Sequence, residues 1–234
     1  MIEKDVVWYA SIRSPYSWLA LERAAQDGCS RLLDVSTMRM FFEPQKGTQE
    51  RLEADGVRFH YTPMSKAKHL YILRDVRRLA LKHGIERITW PIDTAVNWEI
   101  STVLCQQVLD EDQKMGKRLV MAISRARWTK GLDVGSESEL MSVLESVGSH
   151  PRATDSTRHN VLDMVATRMD KDGVFGVPLF KVGREPFWGY DRLDDAEACY
   201  RERCQEAQPR SLGDRSTEPT SHDVSAEGHA GGCG

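Results

Sequence analysis

Two serine hydroxyls, Ser14 and Ser17, lie where a short apolar segment gives way to a helical pattern. Residues 5–10 are predicted to form a buried strand, and Pro15 occupies the first helical position, where its missing N–H needs no partner. A serine at this place can cap the helix, and it can also donate a hydrogen bond to an anion held at the helix N-terminus. The turn therefore suits the binding of a negatively charged atom, such as a thiolate that belongs to another molecule.

A second pair of residues suited to binding, Asp191 and Arg192, is predicted at the start of the last helix. Amides at a helix N-terminus can bind a carboxylate, and Asp191 can pair with an ammonium group. The alternative is an aspartate that caps the helix beside a solvated arginine. Both interpretations stay open on the residues alone.

Four motifs occur in the order typical of one protein family. They are Ser-Pro-Tyr-Ser at 14–17, Lys-x-x-Tyr-x-x-x-Asp at 68–75, Phe-Gly-Val-Pro at 175–178 and Trp-Gly-Tyr-Asp-Arg-Leu at 188–193. Together they closely resemble the family of glutathione-dependent 2-hydroxychromene-2-carboxylate isomerases and kappa-class glutathione transferases. The resemblance extends over roughly residues 5–205.

The resemblance implies a thioredoxin-like fold, glutathione as the cofactor and Ser14 as the catalytic residue. The Cys-x-x-Cys pair of thioredoxin-like proteins is replaced by Ser14 and Ser17, and no such pair exists elsewhere in the chain, which disfavours a dithiol oxidoreductase. A cysteine thiol has a pKa near 8.5, so a hydroxyl donor and helix amides would increase its thiolate fraction at neutral pH. The alternative is that Ser14 only caps the helix, and Ser17 is predicted to be structural.

The resemblance also implies which residues bind glutathione. Val177-Pro178 resembles the cis-proline position of thioredoxin-like proteins, so Val177 would pair antiparallel with the cysteinyl unit. The alternative is a simple edge-strand proline. Asp191 and Arg192 would contact the γ-glutamyl end, and Lys68 would bind the glycyl carboxylate.

The chain departs from the family pattern at three places. Ser11 stands where many relatives have aspartate, and Arg13 adds a cation directly before the catalytic serine, which could strengthen thiolate binding or alter the acceptor site. Residues 43–63 contain no clear counterpart of an asparagine that kappa-class transferases place there. Apart from these departures, Lys66 competes with Lys68 as the cation for the glycyl carboxylate, and the alternative for Lys68 is a solvated lysine on a helix face.

The strand and helix patterns predict an α/β fold, with a thioredoxin-like core around a mixed four-stranded sheet and an all-helical insertion. The predicted parts are the first part of the core (1–63), the helical insertion (64–171), the second part of the core (172–205) and a disordered tail (206–234). Within them we expect a strand at 33–41, a loop at 43–63, a helix at 65–83, helices throughout 94–170, a strand hairpin at 177–188 and a final helix from 191.

Four aromatic residues could line an apolar pocket for the second substrate, between the core and the insertion. For each of them an ordinary core position is the alternative. These residues are Phe41, Tyr71, Trp98 and Trp128.

Composition narrows the functional classes. The 32 basic and 35 acidic residues give a net charge of -3, which supplies no electrostatic basis for a nucleic-acid partner. We find neither an apolar run long enough for a membrane segment nor an export segment after Met1, so we expect a cytoplasmic protein.

Five irregularly spaced cysteines indicate reduced thiols, and we expect no metal site. The tail residues His222, His229 and Cys233 lack a fixed geometry for one.

The functional hypothesis from the resemblance is a glutathione-dependent isomerase. Its bound thiolate would add reversibly to a conjugated carbon of an aromatic pyruvate or chromene-type small molecule, and glutathione would leave unchanged after the double bond rotates. One alternative is a kappa-class-like transferase that leaves glutathione attached to an electrophile. Another is a non-catalytic thioredoxin-like module that binds a peptide partner. The resemblance also allows a homodimer.

Overall fold

Strand β1 (Val6–Ala10) lies inside a four-stranded sheet with the order β2-β1-β3-β4. It pairs in parallel with β2 (Thr37–Met40) and antiparallel with β3 (Leu179–Val182). β3 forms an antiparallel hairpin with β4 (Glu185–Trp188), and Gly183 in the turn has a φ of +65°, which glycine adopts without strain. The sheet is mixed, and the predicted hairpin is confirmed.

The computed structural model describes residues 6–26, 30–62, 64–93, 97–149 and 155–207. These residues contain α1 (Pro15–Ala25), α2 (Leu32–Val35), α3 (Lys46–Ala54), α4 (Lys66–Lys82), α5 (Glu99–Glu111), α6 (Gln113–Lys130), α7 (Glu137–Val147), α8 (Asp155–Lys171), a short 3₁₀ helix (Tyr190–Arg192) and α9 (Leu193–Glu206). The predicted disordered tail lies outside the described residues from position 208 onward.

Helix α4 begins and ends where local signals place it. Ser65 caps its N-terminus, since the Ser65 side chain accepts a hydrogen bond of 3.2 Å from the Lys68 amide. His83 and Gly84 end the helix, and Gly84 has a φ of +72°. The helix predicted at 65–83 is therefore confirmed.

The strand predicted at residues 33–41 is wrong in its first half, because Leu32–Val35 form one helical turn. The carboxylate of Glu197, from the distant helix α9, accepts a 3.1 Å hydrogen bond from the Leu32 amide, and Ser30 contacts the same carboxylate. The strand begins only at Thr37. A tertiary contact thus determines the conformation of an apolar segment that locally resembles a strand.

The loop predicted at residues 43–63 is also corrected, since it contains helix α3. Glu99 on α5 is buried, and its carboxylate accepts hydrogen bonds from the backbone amide of Gln45 at 2.7 Å and from the Thr48 hydroxyl at 3.0 Å. The first turn of α3 is thus held by an acid far along the chain. Gln45 makes no side-chain cap of its own, so this start carried no local signal.

The final helix begins slightly later than predicted. Tyr190–Arg192 form a 3₁₀ turn, and the α-helix starts at Leu193. Likewise, the third strand begins at Leu179 rather than Val177. Val177 therefore lies just before the strand, where its main-chain groups are outside the sheet register.

Alternating side chains of the sheet build a core on each face. Trp8, Met38 and Phe180 belong to one buried cluster, which includes residues of α1, α4, α5, α6 and α7. Tyr9 and Leu179 belong to the other cluster, which includes residues of α3, α5 and α8. The helices between residues 64 and 171 therefore pack against both faces of the sheet, while the division into core and insertion stays a prediction.

Candidate active site

The serine turn follows the carboxyl end of β1 and begins helix α1. Ser14 has an extended backbone, and its hydroxyl oxygen accepts a 3.2 Å hydrogen bond from the Ser17 amide. The same hydroxyl donates to the Val177 carbonyl at 3.4 Å, which joins two motifs from opposite ends of the chain. Ser17 is buried, and its hydroxyl oxygen accepts a hydrogen bond from the Ser11 amide. Ser14 is thus partly accessible, whereas Ser17 braces the turn.

The peptide bond between Val177 and Pro178 is cis, as predicted. The Pro178 carbonyl accepts a 3.0 Å hydrogen bond from the Gly189 amide, so the loop before β3 is tied to the segment after β4. Among the described residues, the Val177 amide donates no hydrogen bond. An extended peptide ligand could therefore use this amide as a main-chain partner.

Asp191 and Arg192 are exposed and lie in the 3₁₀ turn that follows Gly189. The Arg192 guanidinium donates to the Asp191 carboxylate at 2.7 Å and to Asp195 at 2.8 Å. Hydrogen bonding from Arg192 holds the pKa of Asp191 below its usual value. Asp191 is therefore anionic at neutral pH, and both charges can exchange partners with a zwitterionic ligand.

Lys68 lies exposed in the first turn of α4, and Lys66, the first residue of the helix, is also exposed. In the described part of the chain, no hydrogen bond joins the Lys68 side chain to Ser14 or Val177. The two motifs are instead linked through Tyr16, whose hydroxyl donates to the Asp75 carboxylate at 2.8 Å. Helix α4 is thereby anchored to α1.

The pKa values of the two hydrogen-bonded groups, the Tyr16 hydroxyl and the Asp75 carboxyl, are shifted in opposite directions. Burial and the hydrogen bond to Asp75 raise the pKa of Tyr16. Burial acts to raise the pKa of Asp75, but hydrogen bonds from Arg78 and Tyr16 outweigh it and lower the pKa. The phenol and the carboxylate therefore keep their ordinary protonation states, which suits a positioning contact.

Arg13 has no free charge to give to a bound thiolate. Its guanidinium pairs with Glu43 at 3.1 Å and with Asp93 at 3.4 Å, and it lies over the Trp98 ring at 4.5 Å from the centroid. Buried Arg127 also binds Asp93, at 2.6 and 3.0 Å. Sequence reasoning missed Glu43, Asp93 and Arg127, because no local motif joins them.

These observations fit one fold family. The family model of the DSBA-like thioredoxin domain matches residues 5–201. The chain belongs to this family. A 2-hydroxychromene-2-carboxylate isomerase from Sphingobium xenophagum is 24% identical over an alignment of 208 positions, which covers 83% of this chain and 97% of that protein.

Solved structures share the fold of this DsbA-like chain. A 2-hydroxychromene-2-carboxylate isomerase structure has a TM-score of 0.60 at 22% identity, and covers 86% of this chain and 96% of the other. A probable DsbA oxidoreductase from Streptomyces coelicolor has a TM-score of 0.57 at 15% identity, with 94% and 99% covered. The predicted thioredoxin-like fold is thereby confirmed.

The aromatic pocket is only partly as expected in this DsbA-like chain. Trp98 lines a small cleft beside Arg13, and its indole N–H donates to the Glu43 carbonyl at 2.8 Å. Phe41 and Trp128 are instead buried core residues, and Tyr71 is exposed on α4. For Phe41 and Trp128 the core alternative therefore holds, because packing between the sheet and the helices covers them.

No helix among the described residues combines the length and the apolar composition needed to cross a membrane. Within the same ranges, no group of three His, Cys, Asp or Glu side chains is arranged to hold a metal ion. His222, His229 and Cys233 lie outside the described residues.

Proposed function

We propose that this DsbA-like protein is a glutathione-dependent isomerase of a small conjugated aromatic substrate, such as an aromatic pyruvate or a chromene-type acid. The observation that carries the proposal is the position of Ser14. Its hydroxyl lies at the N-terminus of α1 and faces the Val177 carbonyl that precedes the cis-proline. The similarity to a 2-hydroxychromene-2-carboxylate isomerase supports the choice of reaction.

The donor set around Ser14 fits an extended tripeptide with a thiol in its middle. The Val177 amide and carbonyl can pair with the central unit of the peptide, next to the Ser14 hydroxyl. Asp191 and Arg192 supply opposite charges for the γ-glutamyl end, and the exposed Lys68 supplies a cation for the glycyl carboxylate. Each role is a proposal for a residue whose chemistry matches one part of glutathione.

Ser14 would stabilise the thiolate by redirecting a weak hydrogen bond. Its present bond to Val177 is long, at 3.4 Å, so little is lost when the hydroxyl turns to an anion. Lowering a thiol pKa by two units requires about 2.7 kcal/mol. A charge-assisted hydrogen bond contributes about 1.5–3 kcal/mol and a helix N-terminus about 0.3–1 kcal/mol, so the turn can supply this amount.

When bound, glutathione supplies the nucleophile that adds to the conjugated double bond and leaves after rotation. The chain's own residues would orient the tripeptide and keep its sulfur charged, while the Arg13 guanidinium stays in its ion pairs with Glu43 and Asp93. Because these pairs neutralise Arg13, the thiolate is not trapped by a full positive charge.

The test begins with calorimetric titration of the full chain with reduced glutathione, and we expect saturable binding at one site. Absence of binding up to about 10 mM would leave only the non-catalytic binding module. S-methylglutathione is the matched control, since it keeps both ends of the tripeptide but has no free thiol. It should compete for binding and support no turnover.

The second step separates isomerase from transferase. The enzyme is incubated with an o-hydroxybenzylidenepyruvate and substoichiometric glutathione. Many turnovers per glutathione support the isomerase. Conversion that stops at one equivalent, together with a stable conjugate detected by mass, would make the protein a transferase.

A further inference from the structure

A second cleft, which we call the cationic cleft, lies at the amino end of β1, away from the serine turn. It has a volume of about 370 Å³ and is lined by four cations, one carboxylate and apolar Val7. Ligand pockets for small molecules typically measure about 300–1,000 Å³. The cations are Arg39, Arg168, Lys171 and Lys181, and the carboxylate is Asp172.

The sheet register explains why the cations converge. Val7 is paired with Lys181 on β3, and Tyr9 is paired with Arg39 on β2, so these side chains share one face of the sheet. Helix α8 packs against the same face of the sheet, and the last residue of this helix is Lys171. Three separate elements thus direct positive charge into a single concavity.

Asp172 holds two of the cations in place. Its carboxylate accepts hydrogen bonds from Lys181 at 2.6 Å, from Arg39 at 2.9 Å and from the Tyr9 hydroxyl at 2.6 Å. One carboxylate cannot neutralise both cations, so a positive excess remains beside it. Such pre-ordered groups lose little side-chain entropy when they bind an anion.

Lys171 adds a further cation at the rim of the cleft. It is exposed, and it forms no ion pair within the described residues. Arg168, by contrast, is paired with Asp110 at 3.0 Å. Cations in the last turn of α8 also stabilise the helix end, but that role does not explain Arg39 and Lys181, which come from strands. The chain as a whole has a net charge of -3, so the cleft is not a by-product of a basic protein.

We propose that the cationic cleft binds a small phosphate-bearing molecule at a site separate from the serine turn. Arginine guanidinium groups bind phosphate oxygens through paired N–H donors, and lysine ammonium groups add point charge. Here Arg39 supplies the guanidinium, and Lys181 and Lys171 supply the ammonium groups. Val7 provides an apolar contact for the uncharged part of the molecule.

The test is calorimetric titration of the full chain with inorganic pyrophosphate, with sodium chloride adjusted to constant ionic strength. We expect saturable binding of one pyrophosphate per chain. Lys171→Ala should weaken this binding about threefold to tenfold, because it removes an exposed cation that contacts the anion. Lys130→Ala is the matched control, since Lys130 is also an exposed lysine at the last residue of a helix but lies outside the cleft.

Arg39→Gln should weaken pyrophosphate binding by about tenfold or more, provided that circular dichroism shows a folded chain. Failure of this variant to fold leaves the Lys171 comparison as the deciding measurement. Absence of saturable binding, or equal weakening by Lys130→Ala and Lys171→Ala, would overturn the proposal. Glutathione-dependent turnover of the aromatic substrate by Lys171→Ala should match that of the unaltered chain, so this test is independent of the proposed isomerase activity.

Discussion

The two ends of strand β1 lead to two differently built sites. The carboxyl end leads into the serine turn, where Ser14 touches Val177 through neutral hydrogen-bonding groups. The amino end leads into the cationic cleft, where Arg39, Lys181 and Asp172 interact through full charges. One site is made of a helix terminus, a hydroxyl and main-chain groups, and the other of salt-bridged side chains on a sheet face.

This difference predicts different sensitivities. Hydrogen bonds between neutral groups and a helix terminus depend on exact geometry, so a single missing oxygen should affect the chemistry strongly. Charged side chains act over longer distances and tolerate some displacement, so their loss should appear mainly in affinity, stability and pH dependence. Three substitutions test this contrast.

The largest effect is expected for Ser14→Ala, which should lower turnover by roughly 10- to 1000-fold, or about 1.4–4 kcal/mol of transition-state stabilisation. Glutathione affinity should change much less, because in the proposed complex Asp191, Arg192 and Lys68 would hold the two ends of the tripeptide. Steady-state kinetics and the ultraviolet thiolate absorbance of bound glutathione measure the two effects. The absorbance should shift to higher pH as the thiol pKa rises.

Loss of a helix cap alone must be separated from this result. Ser136→Ala removes the serine that caps α7, where the Glu139 amide donates to the Ser136 hydroxyl. It should lower the free energy of unfolding by about 1 kcal/mol and leave turnover unchanged. Thiolate absorbance in Ser14→Ala equal to that of the unaltered protein would show that Ser14 is only a cap.

An intermediate effect is expected for Asp172→Asn in the cationic cleft. Burial acts to raise the pKa of Asp172, but hydrogen bonds from Lys181 and Tyr9 and the nearby positive charges outweigh it and lower the pKa. The ionised carboxylate therefore stabilises the fold above its unfolded pKa, near 3.8, and this contribution disappears as pH falls through the lower folded value. At neutral pH the substitution should cost about 1–3 kcal/mol of unfolding free energy.

Urea denaturation at a series of pH values measures this effect. The difference between Asp172→Asn and the unaltered chain should be largest near neutral pH and should shrink below about pH 4. Asp55→Asn is the control, because Asp55 is exposed and lies 3.9 Å from its partner Arg51. A difference for Asp172→Asn that is constant across this pH range would contradict the ionic account.

The smallest effect is expected for Tyr16→Phe, which removes the hydroxyl that links the serine turn to α4. Loss of the 2.8 Å hydrogen bond to Asp75 should lower the free energy of unfolding by about 1 kcal/mol. Glutathione affinity should fall a few-fold if α4 positions Lys68, an effect smaller than that on turnover in Ser14→Ala. A double-mutant cycle with Asp75→Asn isolates the pair. Strict additivity would show that the contact does not couple the two helices.

Elements with local signals were predicted well, and those held by distant groups were not. Ser65 and Gly84 define the two ends of α4 within a few residues, so the bounds of that helix followed from the sequence. Helix α3 depends on the Glu99 carboxylate, and helix α2 depends on Glu197. Because these acids are far away in the chain, the local patterns predicted a strand for the segment of α2 and a loop for the segment of α3.

The candidate site shows the same division. The roles proposed for Ser14 and the Val177–Pro178 pair came from motifs, and the structure adds that a hydroxyl from one motif reaches a carbonyl of the other. The ion pairs that neutralise Arg13 could not be predicted, because Asp93 and Arg127 belong to no common motif. Arg13 is read as a free cation in the sequence and as a paired one in the structure.

By itself, the sequence indicated the thioredoxin-like fold, through four motifs and their order along the chain. It also indicated the serine turn in place of a dithiol and the cis-proline before β3, since each of these two features rests on residues that are neighbours in the chain. Only the tertiary structure decided that ion pairs neutralise Arg13 beside the serine turn, and that a cationic cleft exists. Coulomb and hydrogen-bond energies depend on distances in space, and these distances are set by strand register and helix packing. The residues that line the cationic cleft come from β1, β2, β3 and the end of α8. Their spacing along the chain gives no indication that they lie close together in space.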